Sequence, residues 1–293
     1  MSGAHAPIDP ALRISSVALA VSDVSRSADF YEHVLGLGSG SVSRGQNGAD
    51  PGTDGQRPLL ELTGIAHPTA TPPGRTGLFH VAWLHPSRAA LADTVRRIAG
   101  AGWPIDGASD HGVSEALYLS DPDGLGIEIY ADRPRSQWER PADGHGVNLL
   151  TLPLDVEDLL AQAHEGPPPA IGPQAAIGHV HLKVADVPRA LAFYRDALGF
   201  EEQARLPSAA FLSAGGYHHH VGLNSWQSRG HGPPPESAPS LRRVEFELSD
   251  AGALVELERR LSDNLGGKPS PSSPDGHLSL RDPDGLLLCF GHR

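Results

Sequence analysis

A single cysteine, Cys289, occurs in 293 residues. One thiol cannot close an intramolecular disulfide or build a thiolate cluster, so any bound metal must be held by nitrogen and oxygen ligands. No run of about 20 apolar residues is present, and the opening MSGAHAPIDPALR has no apolar signal core. Neither a membrane span nor a secretory leader is therefore expected, and with the lone thiol this predicts a cytoplasmic protein. Positive charge is scarce too. Lys and Arg number 23 against 35 Asp and Glu, a net charge of -12, and the basic residues do not cluster, which excludes nucleic acid as a partner. What the chain has in surplus is histidine, 16 residues, and an apolar fraction of 39%, enough for two domain cores.

The chain repeats itself. Ile14 to Leu37, ISSVALAVSDVSRSADFYEHVLGL, aligns without a gap against Ile177 to Phe200, IGHVHLKVADVPRALAFYRDALGF. Each copy reads as an alternating strand, an Asp-containing turn, an amphipathic helix carrying Phe-Tyr or its equivalent, and a Leu-Gly stop, where Gly36 and Gly199 can take positive φ. Weaker copies begin at Leu78 (strand GLFHVAWL) and at Arg243 (strand RVEFELSD), and each unit ends in further strands. The economical parse is α+β, four βαβββ modules, with domains at 1–135 and 177–293 and a linker at 136–176. That linker contains a helical candidate, Val156 to Ala163, and the stiff Pro167-Pro168-Pro169. Segments 44–58, 229–240 and 266–275, rich in Gly, Pro and polar residues, read as mobile insertions.

The chemistry concentrates in His111 to Glu128, HGVSEALYLSDPDGLGIE. Ala116 to Ser120 reads as a strand, Asp121 to Gly124 as a turn and Gly126 to Tyr130 as a second strand. Alternation then points Glu128 away from the face shared by Ile127 and Ile129, and a carboxylate at such a place calls for a cation. His80 stands in a second-module strand, where a core histidine is the bland alternative. His179 stands in a third-module strand, with His181 on the same face as a rival. In Tyr217-His218-His219-His220, period two sends His219 with Val221 and Leu223 toward the helices and leaves His218 and His220 facing the cavity.

The spacing of His111, Leu117, Tyr118, Asp121, Pro122, Gly124 and Glu128 resembles the signature of extradiol ring-cleaving dioxygenases, with Ser109 as one departure. The four repeats resemble the vicinal oxygen chelate superfamily. SEALYLSDPDG, GIEIYADRPRSQW, IGHVHLKVAD and SAGGYHHHVGLN are similar to its two-domain bacterial catechol 2,3-dioxygenases. That resemblance implies two half-open eight-stranded barrels. It also implies metal ligands at two repeated positions, filled across the modules by Ser16, His80, His179 and Arg243 and by Glu61, Glu128, His220 and Leu288 or Cys289. Only the middle modules offer a ligand set, His80, Glu128 and His179, which predicts that module two pairs with module three rather than sequentially. Two His and a carboxylate suit Fe(II), with Mn(II) as the alternative metal.

Carried over residue by residue, the resemblance implies His220 as acid and base, with His218 behind it, and His111 and Tyr118 as groups around the substrate. The partners implied are a small aromatic diol and O2, opening the ring to a semialdehyde, in a homo-oligomer. Two other readings use the same fold. One is a binding protein that sequesters a small aromatic molecule. The other is a glyoxalase-like isomerase or lyase with Ni(II), Zn(II) or Mn(II) held by His80, Glu128, His179 and His220.

Overall fold

The computed structural model describes residues 7–45, 58–171, 175–265 and 277–292. Module one comprises β1 (Arg13–Val21), α1 (Val24–Asp29), β2 (Val42–Arg44) and β3 (Leu60–Gly64). Module two comprises β4 (Gly77–His85), α2 (Arg88–Gly100), β5 (Gly107–Asp110), β6 (Ser114–Ser120) and β7 (Gly126–Asp132). A short helix, α3 (Val156–Leu160), lies in the connection that follows. Module three has β8 (Ala176–Lys183), α4 (Val187–Leu191), β9 (Glu201–Leu206), β10 (Ala209–Ser213) and β11 (Val221–Asn224). Module four has β12 (Ser240–Leu248), α5 (Ala251–Leu265), β13 (Leu278–Arg281) and β14 (Leu287–His292). Modules two and three are complete βαβββ units. One and four show two later strands each among the described residues.

The repeated helix start has a local cause. Asp23 and Asp186 accept from the backbone N–H of Arg26 and Arg189, at 3.0 and 2.7 Å, satisfying donors that the first helical turn leaves free. Both helices then widen into π-turns, Phe30–Leu35 and Ala192–Ala197. These end at Gly36 and Gly199 with φ of 90° and 92°, the left-handed geometry expected from the Leu-Gly stop. The wider turns carry Tyr31 and Tyr194, whose hydroxyls donate to Asp121 and Asp282 at 3.2 and 3.1 Å. Each Asp-Pro-Asp-Gly turn is therefore tied to the helix of the preceding module, one to two and three to four.

Strand pairing follows another rule. β4 runs antiparallel to β8, and the path β5-β6-β7-β4-β8-β11-β10-β9 forms an eight-stranded, half-open cup from modules two and three. β1 pairs with β12, so modules one and four build the second cup, β2-β3-β1-β12-β14-β13, six strands among the described residues. Among the described residues a single bridge, Ile14 to Ile177, joins the cups into one open sheet. On β4, β7 and β8 the residues Val81, Trp83, Ile127, Ile129, Val180 and Leu182 face the helices and are buried in the main core. Among the described residues no helix is long and apolar enough to cross a membrane.

Two expectations need correction. Residues 229–240 are not a free insertion, because Ser237 and Gly232 carbonyls accept from Thr69 and Thr76 N–H at 2.8 and 3.1 Å. The connection after β7 does more than span a gap. Leu152 bridges to Asp110 on edge strand β5, and Val147 N–H donates to Gln203 on edge strand β9, so this segment crosses the mouth of the first cup. Most of segment 44–58 and all of 266–275 lie outside the described residues.

Candidate metal centre and active-site cavity

Opposite the apolar faces of β4, β7 and β8, period two brings His80, Glu128 and His179 to the floor of the first cup. All three are buried, at 5%, 3% and 1% exposure. Their atoms form a small triangle. His80 Nε2 lies 2.9 Å from Glu128 Oε2, His179 Nε2 lies 3.1 Å from the same oxygen, and the two nitrogens are 3.3 Å apart. Ligands about 2.1 Å from a shared cation and about 90° apart would be separated by about 3.0 Å. The triangle matches one face of such a shell.

Burial lowers the pKa of His179 to about 4, against the pull of Glu128. Burial alone would raise Glu128, but the adjoining His179 and His80 outweigh it and hold this carboxyl well below the ordinary range. Two imidazole nitrogens and a carboxylate oxygen thus converge in a buried place, an arrangement that a divalent cation satisfies. The donor set fits the metal that the sequence implies. His179 Nδ1 has no hydrogen-bond partner among the described residues.

Gly178 matters to this position. A Cβ there would run into the hydroxyl of buried Tyr130. The Gly-His step read from the sequence has this steric basis.

Above the triangle opens a cavity of about 900 Å³, lined among others by Phe79, Val147, Leu149, Leu150, Phe211 and Trp226. His111 and Tyr118 stand at its wall as a pair. His111 Nδ1 lies 2.7 Å from the Leu150 carbonyl, which only accepts, so Nδ1 carries the proton. His111 Nε2 then accepts from the Tyr118 hydroxyl at 2.6 Å. Burial first, and then the Glu128 charge, push the Tyr118 phenol above its ordinary pKa. Sequence reasoning missed that the segment after β7 both roofs the cavity and fixes His111. Its cue was the apolar Val147, Leu149 and Leu150, which a solvated linker would not need.

The four-residue stretch before β11 departs from expectation. Residues 217–220 are not strand, so period two does not apply to them. They follow Gly215 and Gly216 with φ of 60° and 65°, a tight turn whose Gly-Gly signal is visible in the sequence. His219 lines the cavity, its ring 4.0 Å from that of His179. His220 turns away. Its Nδ1 accepts from Ala214 N–H at 3.1 Å, and burial lowers its pKa to about 3. His219 rather than His220 thus faces the cavity, and among the described residues no metal-ligand group includes His220. His181 also lines the cavity, between Phe79 and Trp226, with Nε2 lacking a partner among the described residues, but it stands outside the triangle. His179, His218 and His219 cluster as well. Both nitrogens of His218 are engaged, by His219 and by Asp132, so that group holds hydrogen bonds.

The second cup carries the same register with other residues. Ala82 faces His179 and Glu128 across its two neighbours in the first cup, and Ala18 faces Arg243 and Glu61 in the second. At the second cup's equivalent place the Arg243 guanidinium meets Glu61 at 2.6 Å and Glu245 at 2.9 Å. A fixed cation stands there in place of a ligand set.

The model for the Glyoxalase/Bleomycin resistance protein/Dioxygenase superfamily matches residues 13–129 and 176–290. A curated relative, catechol-2,3-dioxygenase of Bacillus subtilis, is 43% identical over 226 residues, 76% of this chain and 78% of the relative. Among solved structures, a putative dioxygenase from Bacillus subtilis matches with a TM-score of 0.63 at 16% identity, covering 98% of this chain and 86% of that one. Glyoxalase I from Zea mays matches with a TM-score of 0.55 at 18% identity, covering 96% and 92%. At such identities the structural likeness speaks to the fold alone.

Proposed function

The chain belongs to the glyoxalase/bleomycin resistance protein/dioxygenase superfamily, and on that premise we propose that it is an extradiol dioxygenase opening the ring of a catechol-type diol. His80, Glu128 and His179 hold the metal, proposed as Fe(II). When bound, it supplies Lewis acidity toward the diol oxygens and open positions for them and for O2. Both atoms of O2 enter the semialdehyde product, so the overall reaction needs no external reductant.

Around that centre the side chains divide the work. His219, on the cavity beside His179, takes a phenolic proton and returns it as the ring opens. Tyr118, its proton directed at His111, offers oxygen lone pairs toward the cavity and with His111 orients the ring. Phe79, Phe211 and the Val147–Leu150 roof exclude water. The division of the chain at 135 and 177 into two halves of two modules each is part of the same proposal.

The observation that carries this reading is the triangle of His80, Glu128 and His179 ligand atoms at the floor of a cavity walled by the His111–Tyr118 pair. The test is anaerobic purification, reconstitution with Fe(II), and exposure to catechol and air. About one metal per chain, O2 uptake and a yellow product are expected, with Glu128→Ala losing both metal and turnover. Wild-type metal content and rate in that variant would refute the centre.

A further inference from the structure

His218 is fully buried, and nothing in the metal triangle uses it. Its Nε2 lies 2.9 Å from Asp132 Oδ1, and its Nδ1 lies 2.8 Å from His219 Nδ1. The same Asp132 oxygen accepts from the Tyr217 hydroxyl at 3.2 Å, and Tyr217 in turn lies 2.7 Å from the Tyr130 hydroxyl. Directions follow from donor and acceptor capacity. A carboxylate only accepts, so His218 carries a proton on Nε2, and as a neutral imidazole it leaves Nδ1 bare. The hydrogen bond between the two Nδ1 atoms then needs its proton from His219. A neutral imidazole has only one N–H, so His219 Nε2 is bare on a residue that lines the cavity.

We propose that Asp132 and His218 are positioning residues that set His219 in the tautomer with a free Nε2, the form able to accept a proton from a substrate hydroxyl. Resting on the dioxygenase reading for its substrate, the assignment has a simple balance. The hydroxyl O–H bond breaks, the proton forms an N–H bond at His219 Nε2, and the imidazolium charge is met through His218 by the Asp132 carboxylate. A third residue that orients a catalytic histidine by this means is a recurrent device. Here a second histidine is interposed between the two.

Ring-nitrogen NMR on the full-length, chelator-treated chain tests the proposal without any turnover. His219 should show a protonated Nδ1 and an unprotonated Nε2. In Asp132→Asn the side-chain amide can donate to His218 Nε2 and reverse the chain, so His219 should shift toward the Nε2-protonated form. With metal restored, kcat of that variant should fall by about 100-fold while KM changes less than about threefold, and Asp132→Glu should recover part of the loss. A protonated Nε2 in the wild-type protein overturns the assignment, and so does an unchanged tautomer in a folded Asp132→Asn. If the predicted tautomer is found but no diol is cleaved, the hydrogen-bond chain stands and the dioxygenase reading falls.

Discussion

His85 is buried at the end of β4, with Nδ1 directed at the carbonyls of Trp83 and Tyr130, at 3.1 and 3.3 Å, and Nε2 accepting from Thr94 at 3.0 Å. Burial lowers its pKa from the ordinary 6.5 to about 4. The unfolded chain therefore takes up this proton first as pH falls. Stability contributed by neutral His85 is present above pH 6.5 and drains away as pH drops toward 4. Its share of the loss between pH 7 and pH 5 is about 2 kcal/mol. Urea midpoints at the two pH values should show a smaller drop in His85→Gln than in the wild type, and equal drops would remove His85 from the account. At this scale His80, Glu128 and His179 are legible in sequence as cavity-facing residues, because each sits in a strand where alternation decides its face. His219 is not, because Gly215 and Gly216 turn the backbone before it and parity lapses.

At the scale of single elements, β8 shows how a strand is shaped by a neighbour it does not pair with. Tyr130, on β7, reaches over Gly178, and an added methyl would strike its hydroxyl. Gly178→Ala should cost about 1–3 kcal/mol, the usual penalty for overpacking, read from denaturant unfolding. It should also weaken metal binding at least tenfold by displacing His179. An unperturbed affinity would show that β8 tolerates the shift. The Asp-Pro-Asp-Gly turn is readable from sequence as a turn, since its residue types carry their own backbone preferences. Its second task is not readable. Asp121 and Asp282 receive Tyr31 and Tyr194 from other modules, partners 90 and 88 residues away.

For the molecule as a whole, the two pairing rules divide the proposed metal site between the sequence halves. His80 and Glu128 belong to residues 1–135 and His179 to 177–293, and they meet only because β4 pairs with β8. Expressed separately, neither half should bind a stoichiometric divalent metal. Equilibrium dialysis with Co(II) would check this, and one equivalent bound tightly by either half alone would contradict the shared site.

Periodicity, capping residues and internal repetition are local properties, and they suffice to specify four modules and their cavity faces. The absence of a ligand set in modules one and four even pointed to the pairing of two with three. Decisions that require distant segments to meet came only from the tertiary structure. These are the roof laid by 147–152 across two edge strands, the Arg243–Glu61 pair in the second cup, and the Asp132–His218–His219 chain. In each the energy comes from a contact between groups whose separation along the chain carries no period, so no local pattern records it.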